Sequence, residues 1–227
     1  MREEKKELIK NYLLDEKISE EERKERFEIA WDIEENFERI KFELRQKLIK
    51  ELKQKIEQSE GFRDYIIINR GLIEGEKYGT LFIFKKNWLL SPESKNIGIL
   101  NYAFEAEISG ISDLCIGIVK QDNDNKIPFK GNWQKQDDIE HELLNNINQI
   151  YNALGGSPKG WKVSEWWIAW KYLHSFYRGM WQREFFLQII TERGFKQALD
   201  YLFSELVELK KLTEKFIDNF VETYKHS

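Results

Sequence analysis

The sequence predicts an α+β protein with a long charged amino-terminal helix, an antiparallel β-meander of four to five strands, and carboxy-terminal helices packed on the sheet. Residues 1–60 contain 15 Lys/Arg and 18 Asp/Glu and no Pro or Gly, a composition typical of long helices. Apolar residues then repeat with a period of two over 61–133 and with helical spacing over 139–227. We therefore expect a helical segment, 1–60, and an α+β domain, 61–227, that together form one compact unit.

The amino-terminal segment has the pattern of an amphipathic helix. Seven apolar residues recur at steps of three or four: Phe27, Ala30, Ile33, Phe37, Ile40, Leu44 and Leu48. Such steps place them on one stripe of a helix, with charged residues on the other faces. Ser19 and Glu22 have the spacing of a capping box, and Gly61 ends the pattern. We expect the stripe to be covered by the rest of the fold or by another copy of the chain.

The predicted meander rests on β-branched and aromatic runs separated by Gly, Ser, Asn and Asp. The runs are YIIIN, YGTLFIFKK, NYAFEAEIS and DLCIGIVK. In the third run, apolar residues from Leu100 to Ile108 alternate with polar ones, which predicts strands with one buried and one wet face. The fourth run contains Cys115, the single cysteine, so an internal disulfide is excluded and a reducing compartment is favoured.

The carboxy-terminal third has two helical patterns separated by a tryptophan-rich stretch. The first pattern includes Leu143 and Leu154, and the second runs on beyond Gly194, which is expected to end a preceding helix. The stretch between them, GWKVSEWWIAWKYLHSFYRGMW, holds five of the eight tryptophans. With Ser164 as its cap, a helix beginning there would place Trp166 and Trp170 on one packed stripe.

The other side chains of this stretch are candidates for an exposed aromatic and basic surface. The candidate contact residues are Trp161, Lys162, Lys171, Arg178, Trp181 and Arg183. Aromatic rings and cations can stack on nucleic-acid bases or anchor a protein partner. The net charge of −4 supplies no global positive field, so any contact with nucleic acid is local.

Few residues carry a recognisable chemistry. The three histidines lie far apart in the sequence, and neither a glycine-rich phosphate loop nor a serine elbow is present. The sequence therefore predicts no catalytic, cofactor-binding or metal-ligating residue. No apolar run is long enough to span a bilayer, so a soluble, cytoplasmic protein without a membrane partner is expected.

Five segments across residues 27–224 carry a family resemblance. They are LIKELKQKIEQSEGF, YGTLFIFKKNW, YAFEAEISGISDLCIGIVK, WWIAWKYL and MWQREFFLQIITERGFKQALDYLFSELVELKKL. Together they resemble the carboxy-terminal half of bacterial PD-(D/E)XK nuclease proteins, which are related to restriction endonucleases. Those proteins place the nuclease core first and a helix, sheet and tryptophan-rich region after it. The resemblance thus implies a companion region of a nuclease.

The resemblance also implies where catalytic residues would lie. The family needs a strand Asp, and an acid two residues before a Lys on the next strand, because two carboxylates hold the divalent metal. Lys120 is the best-placed strand lysine, but Ile118 occupies the acid position and cannot bind a hard cation. ELK at 51–53 and DEK at 15–17 lie in helix-like segments, and EGEK at 74–77 has no paired strand Asp. No catalytic residue is carried over.

Three functions remain open at this point. The first is a non-catalytic protein-interaction module that binds a protein partner or itself, in bacterial defence against foreign DNA as the resemblance implies. The second is a nucleic-acid-binding module that uses the tryptophan-rich surface. The third is a diverged metal-dependent nuclease, which alone among the three would need a cofactor, Mg²⁺.

The purified chain is expected to show no cleavage of DNA or RNA with Mg²⁺ or Mn²⁺, because Ile118 breaks the acid-x-Lys motif. A gel assay with both metals measures this. Cleavage that disappears on substitution of Glu74 or Glu76 would instead identify EGEK as the metal site.

Overall fold

A computed structural model of the chain describes residues 3–76, 78–89, 98–106, 114–120, 138–164, 166–173 and 183–226. The chain forms two compact units, Met1–Glu43 and Leu44–Ser227, and each is described by itself. The sequence pattern predicts a boundary between two segments after residue 60, whereas the two units divide between Glu43 and Leu44, within a helix. The second part of that helix belongs to the α+β unit.

The first unit consists of helix α1 (Glu3–Leu13) and the first part of helix α2 (Glu20–Gln58). Ser19 caps α2 as predicted, since its Oγ accepts a hydrogen bond of 3.1 Å from the backbone N–H of Glu22. Arg26 connects the two helices: its Nη1 donates to the carbonyl oxygen of Tyr12 at 2.9 Å, and its guanidinium lies 4.4 Å from the Tyr12 ring centroid. None of the described residues of this unit is buried.

The second unit is built on a five-stranded antiparallel sheet in which strands adjacent in sequence are paired. The strands are β1 (Tyr65–Arg70), β2 (Gly79–Lys85), β3 (Leu100–Ala106), β4 (Leu114–Lys120) and β5 (Trp167–Tyr172). This confirms the predicted meander. The three central strands are buried at almost every position. Because successive side chains point to opposite faces, the sheet is covered on both faces, and the expected wet face was wrong.

Three further helices complete the second unit. They are α3 (Asp138–Ala153), α4 (Arg183–Ile189) and α5 (Glu192–His226). Helix α5 lies against β3 and β4, and both α3 and α4 pack against α5. The second part of α2 adds Leu48, Leu52 and Ile56 to the core. Within the described ranges, no helix has both the length and the apolar character needed to cross a membrane.

Within the tryptophan-rich stretch, Trp167–Tyr172 forms strand β5, so the helix predicted from Ser164 onward was wrong there, and 139–227 is not entirely helical. The Ser164 Oγ does accept hydrogen bonds from the N–H groups of Trp166 (3.3 Å) and Trp167 (3.1 Å). These bonds stabilise the turn of a hairpin and do not cap a helix. Lys162 and Trp170 exchange both backbone hydrogen bonds across that hairpin. A spacing of four residues, as between Trp166 and Trp170, suits a helix and a strand equally. The backbone pairing with β4 makes Trp167–Tyr172 a strand.

Gly194 begins a helix instead of ending one. It lies in the first turn of α5, where its N–H donates to Thr191 Oγ1 at 3.1 Å. A Cβ at this position would lie 2.1 Å from the carbonyl oxygen of Gln188 near the end of α4. The glycine therefore permits the close approach of α4 and α5, and the predicted C-terminal signal was wrong.

Gly117 has a similar role between β4 and β5. It lies opposite Trp170 in the strand register, and a Cβ there would be 2.2 Å from the carbonyl oxygen of Ala169. The register also shifts between Ile118 and Val119, which leaves Ile168 as an extra residue in β5. A side chain at position 117 would therefore push the edge strand away from the sheet.

We expect Gly117→Ala to destabilise the protein by about 1–3 kcal/mol, as overpacking against a backbone does. Gly61→Ala is the matched control, because its nearest atom would be 3.8 Å away, an ordinary contact. Chemical denaturation of both variants measures the free energy of unfolding. Equal stability of the two variants would contradict the close approach of β4 and β5.

Candidate functional site

The structure brings three of the predicted contact residues together at β5. Trp161 is buried, with 7% of its surface exposed. The Lys171 Nζ lies 5.1 Å from the Trp161 ring centroid and 2.6 Å from Glu205 Oε2 on α5. The Lys162 Nζ lies 4.9 Å from the centroid of Trp170. Lys171 is therefore neutralised by a carboxylate, which makes it a poor ligand for phosphate.

The remaining predicted contact residues are not part of this cluster. Arg183 is exposed at the first residue of α4. Arg178 and Trp181 lie outside the described residues. The structure thus unites half of the predicted surface and gives no position for a third of it.

The exposed and buried tryptophans are reversed relative to the expectation. Trp166 was expected to be packed but is 50% exposed, whereas Trp161 was expected to be exposed but is buried. Trp170 is partly buried, with its ring 5.0 Å from that of Tyr172 in an edge-on contact. The reason is the hairpin at Ser164, which leaves Trp166 at the turn, whereas Trp161 lies beside Lys171 of β5.

A second concentration of charge joins α5 to β1 and β2. Glu214 Oε1 accepts hydrogen bonds from the Tyr65 hydroxyl at 2.7 Å and from Lys85 Nζ at 2.8 Å. Asp218 accepts from Lys85 Nζ and from Trp88 Nε1, each at 2.7 Å. We call these five residues the α5 clamp. Every charged group in it has an opposite charge within hydrogen-bonding distance, so the clamp is arranged for stability.

The pKa shifts in the α5 clamp have the signs expected of paired ions. Burial raises the pKa of the Glu214 carboxyl, but hydrogen bonds from Lys85, Tyr65 and Lys210 outweigh it and leave the pKa below its ordinary value. Burial lowers the pKa of Lys85, and its bonds to the two carboxylates more than reverse this. The stabilisation by Glu214 is therefore present above the unfolded carboxyl pKa and is lost as the pH falls through the lowered value.

Two of the positions considered for nuclease chemistry have clear surroundings in the structure. Ile118 is fully buried inside the sheet. Glu74, in the turn after β1, accepts a hydrogen bond from Asn69 Nδ2 at 2.6 Å. Among the described residues, no three His, Cys, Asp or Glu side chains are grouped to hold a metal ion.

The largest unexplained feature is the exposed apolar surface of the first unit. Sixteen large apolar side chains are exposed in the described parts of the chain, and ten belong to this unit. The ten are Leu8, Ile9, Tyr12, Leu14, Phe27, Ile29, Trp31, Ile33, Phe37 and Ile40. We call Ile29, Ile33, Phe37 and Ile40 the apolar stripe; they are 41–56% exposed. The stripe is the strongest candidate for a binding surface.

The sequence pattern indicated part of this surface. It placed Ile33, Phe37 and Ile40 on one helical stripe that needs a cover, and the first unit supplies none. It missed Ile29, although Ile29 precedes Ile33 by four residues and so shares its face. It also missed the exposed residues of α1, where apolar positions are sparse among charged ones.

Known proteins give no assignment for these surfaces. No family model matches the chain, and no curated protein or solved structure matches it. The resemblance to nuclease companion regions therefore stays a prediction from the sequence.

We expect Trp161→Ala to destabilise the protein by about 3–5 kcal/mol, because it removes a large buried ring and leaves a cavity. Trp166→Ala is the control and is expected to change stability by only about 0.5 kcal/mol, as exposed positions do. Thermal and urea unfolding of the two variants measures the difference. A larger loss at Trp166 would contradict the hairpin.

Proposed function

We propose that this protein is a non-catalytic protein-interaction module that binds its partner through the apolar stripe of the first unit. The observation that carries the proposal is the concentration of exposed large apolar side chains in Met1–Glu43. Scattered exposed apolar residues are ordinary, but a row of four at helical spacing is the feature of a helix that packs against something.

Covering the apolar stripe supplies a driving force for association. Each of its side chains is about half exposed, so hiding it from water contributes about 1 kcal/mol. Four such contributions sum to about 4 kcal/mol, the lower end of the cost of bringing two partners together, so a specific complex also needs contacts beside the stripe. The second unit has six exposed large apolar side chains in its described ranges, and no more than two of them belong to the same helix.

The charge of the first unit favours a protein over a nucleic acid. Residues 1–43 contain ten Lys/Arg and fifteen Asp/Glu, a net charge of −5, which repels phosphate. Lys171, a cation of the alternative nucleic-acid surface, is already paired with Glu205. The biological setting in the proposal is action beside a nuclease in bacterial defence, which the sequence resemblance implies.

Replacing Ile33 and Phe37 with Gln is expected to abolish partner binding without changing the melting temperature. Gln keeps the helix propensity but removes the apolar surface, and neither residue is buried. The measurements are co-purification with the tagged full chain from its own cells and sedimentation of the purified chain. Ile190→Gln is the matched control, because Ile190 is 64% exposed in the second unit.

The proposal requires that the control retains every partner and the double variant loses at least one. A double variant that keeps the same partners and the same mass as the wild type would refute it. So would steep, salt-dependent binding of the wild-type chain to DNA or RNA that the double variant retains.

A further inference from the structure

We infer that the occupant of the apolar stripe is a basic amphipathic helix, that is, a protein segment with apolar side chains at helical spacing flanked by Lys and Arg. The inference rests on the proposed function and adds the chemistry of the partner. Three features support it: the shape of the stripe, the charges beside it, and the pairing of those charges.

The shape of the apolar stripe suits another helix. Its four residues follow at steps of four, four and three, so they form one ridge about 17 Å long on α2. Ridges of this kind pack into the grooves between side chains of a second helix. Helical peptides are recognised through anchors at the same spacing.

The charges beside the first three residues of the apolar stripe are mostly acidic, whereas Ile40 lies between Arg39 and Lys41, and the Lys41 Nζ lies 5.1 Å from the Phe37 ring centroid. Residues 27–38 contain five acidic residues and no Lys or Arg. The acidic residues are Glu28, Asp32, Glu34, Glu35 and Glu38. Cations occur only before this segment, up to Arg26, and after it, from Arg39. A partner that covers the stripe therefore meets carboxylates along its central two turns.

Three of these carboxylates, Asp32, Glu34 and Glu35, are paired with no cation among the described residues; Glu35 accepts a hydrogen bond from Trp31 Nε1 at 2.7 Å instead. Glu28 lies 3.8 Å from Lys24, and Glu38 pairs with Lys41. Asp32 and Glu34 have no Lys, Arg or His within 4.0 Å in the described part of the chain. They precede and follow Ile33 directly, so they project about 100° to either side of it.

The same charges disfavour a second copy of this chain as the occupant. An antiparallel pair centred on residues 27–38, or a parallel pair in register, would place carboxylates opposite carboxylates. Like charges at such positions destabilise helix pairs, and opposite charges select the partner. A basic helix instead places cations beside Asp32 and Glu34.

The test uses the full-length chain and two labelled peptides with leucines at the spacing of the stripe. One peptide has Lys and Arg beside the leucines, and the other has Glu at those positions. Fluorescence anisotropy should show that the basic peptide binds about tenfold more tightly than the acidic one, a preference that falls as NaCl is added. The variant Asp32→Asn/Glu34→Gln should lose this preference, while Glu20→Gln/Glu21→Gln on the same helix should keep it.

The outcomes separate this inference from the function on which it rests. If both peptides bind equally and Ile33→Gln/Phe37→Gln loses both, the stripe binds helices but the basic partner is wrong. If Ile33→Gln/Phe37→Gln binds both peptides as the wild type does, the stripe itself is not the binding surface. Dimerisation of the chain that this variant abolishes, or binding to lipid vesicles that it abolishes, would overturn the basic helix in favour of a second copy or a membrane surface.

Discussion

The packing of α5 on the sheet is the contact on which the rest of the second unit depends. This helix buries apolar side chains along its whole length, from Phe195 to Tyr224. It lies on β3 and β4, and α3 and α4 in turn pack on it. The α5 clamp fixes the position of this helix. Glu214 and Asp218 are four residues apart in α5, and both form salt bridges with Lys85 of β2. A slip of α5 by one turn would keep only one of the two carboxylates beside Lys85 and would leave the other, which is partly buried, without that cation.

That packing also explains why the function is sought in the first unit. Lys171, one of the cations that could have served as a nucleic-acid surface on β5, is held by α5 through its ion pair with Glu205. The first unit has a different character, because its described residues include none that is buried and many that are apolar and exposed. A helix of this kind gains its stability from what it contacts.

The element types were largely predictable from the sequence, and the errors have physical causes. Apolar residues with a period of two predicted the meander, and apolar residues at steps of three to four predicted α2 and α5. The tryptophan stretch was misassigned because Trp166 and Trp170, four apart, fit either period, and pairing with β4 is a long-range contact that no local pattern contains. The sequence pattern identified the stripe through Ile33 and Phe37, but it did not predict that the stripe is exposed. A sequence pattern indicates that an apolar face needs a cover, but it does not show which part of the protein, or which partner, supplies that cover.

The central claim is that α2 carries an uncovered apolar stripe in the free chain. Hydrogen–deuterium exchange of the dilute full-length protein, read amide by amide, tests it most directly. The account predicts that amides of residues 27–40 exchange far faster than those in the middle of α5, since local opening of α2 is enough to expose them to solvent. It also predicts that these amides become protected when a partner binds. Protection of residues 27–40 equal to that of α5 in a monomer would show that the chain covers the stripe itself, and would contradict the account.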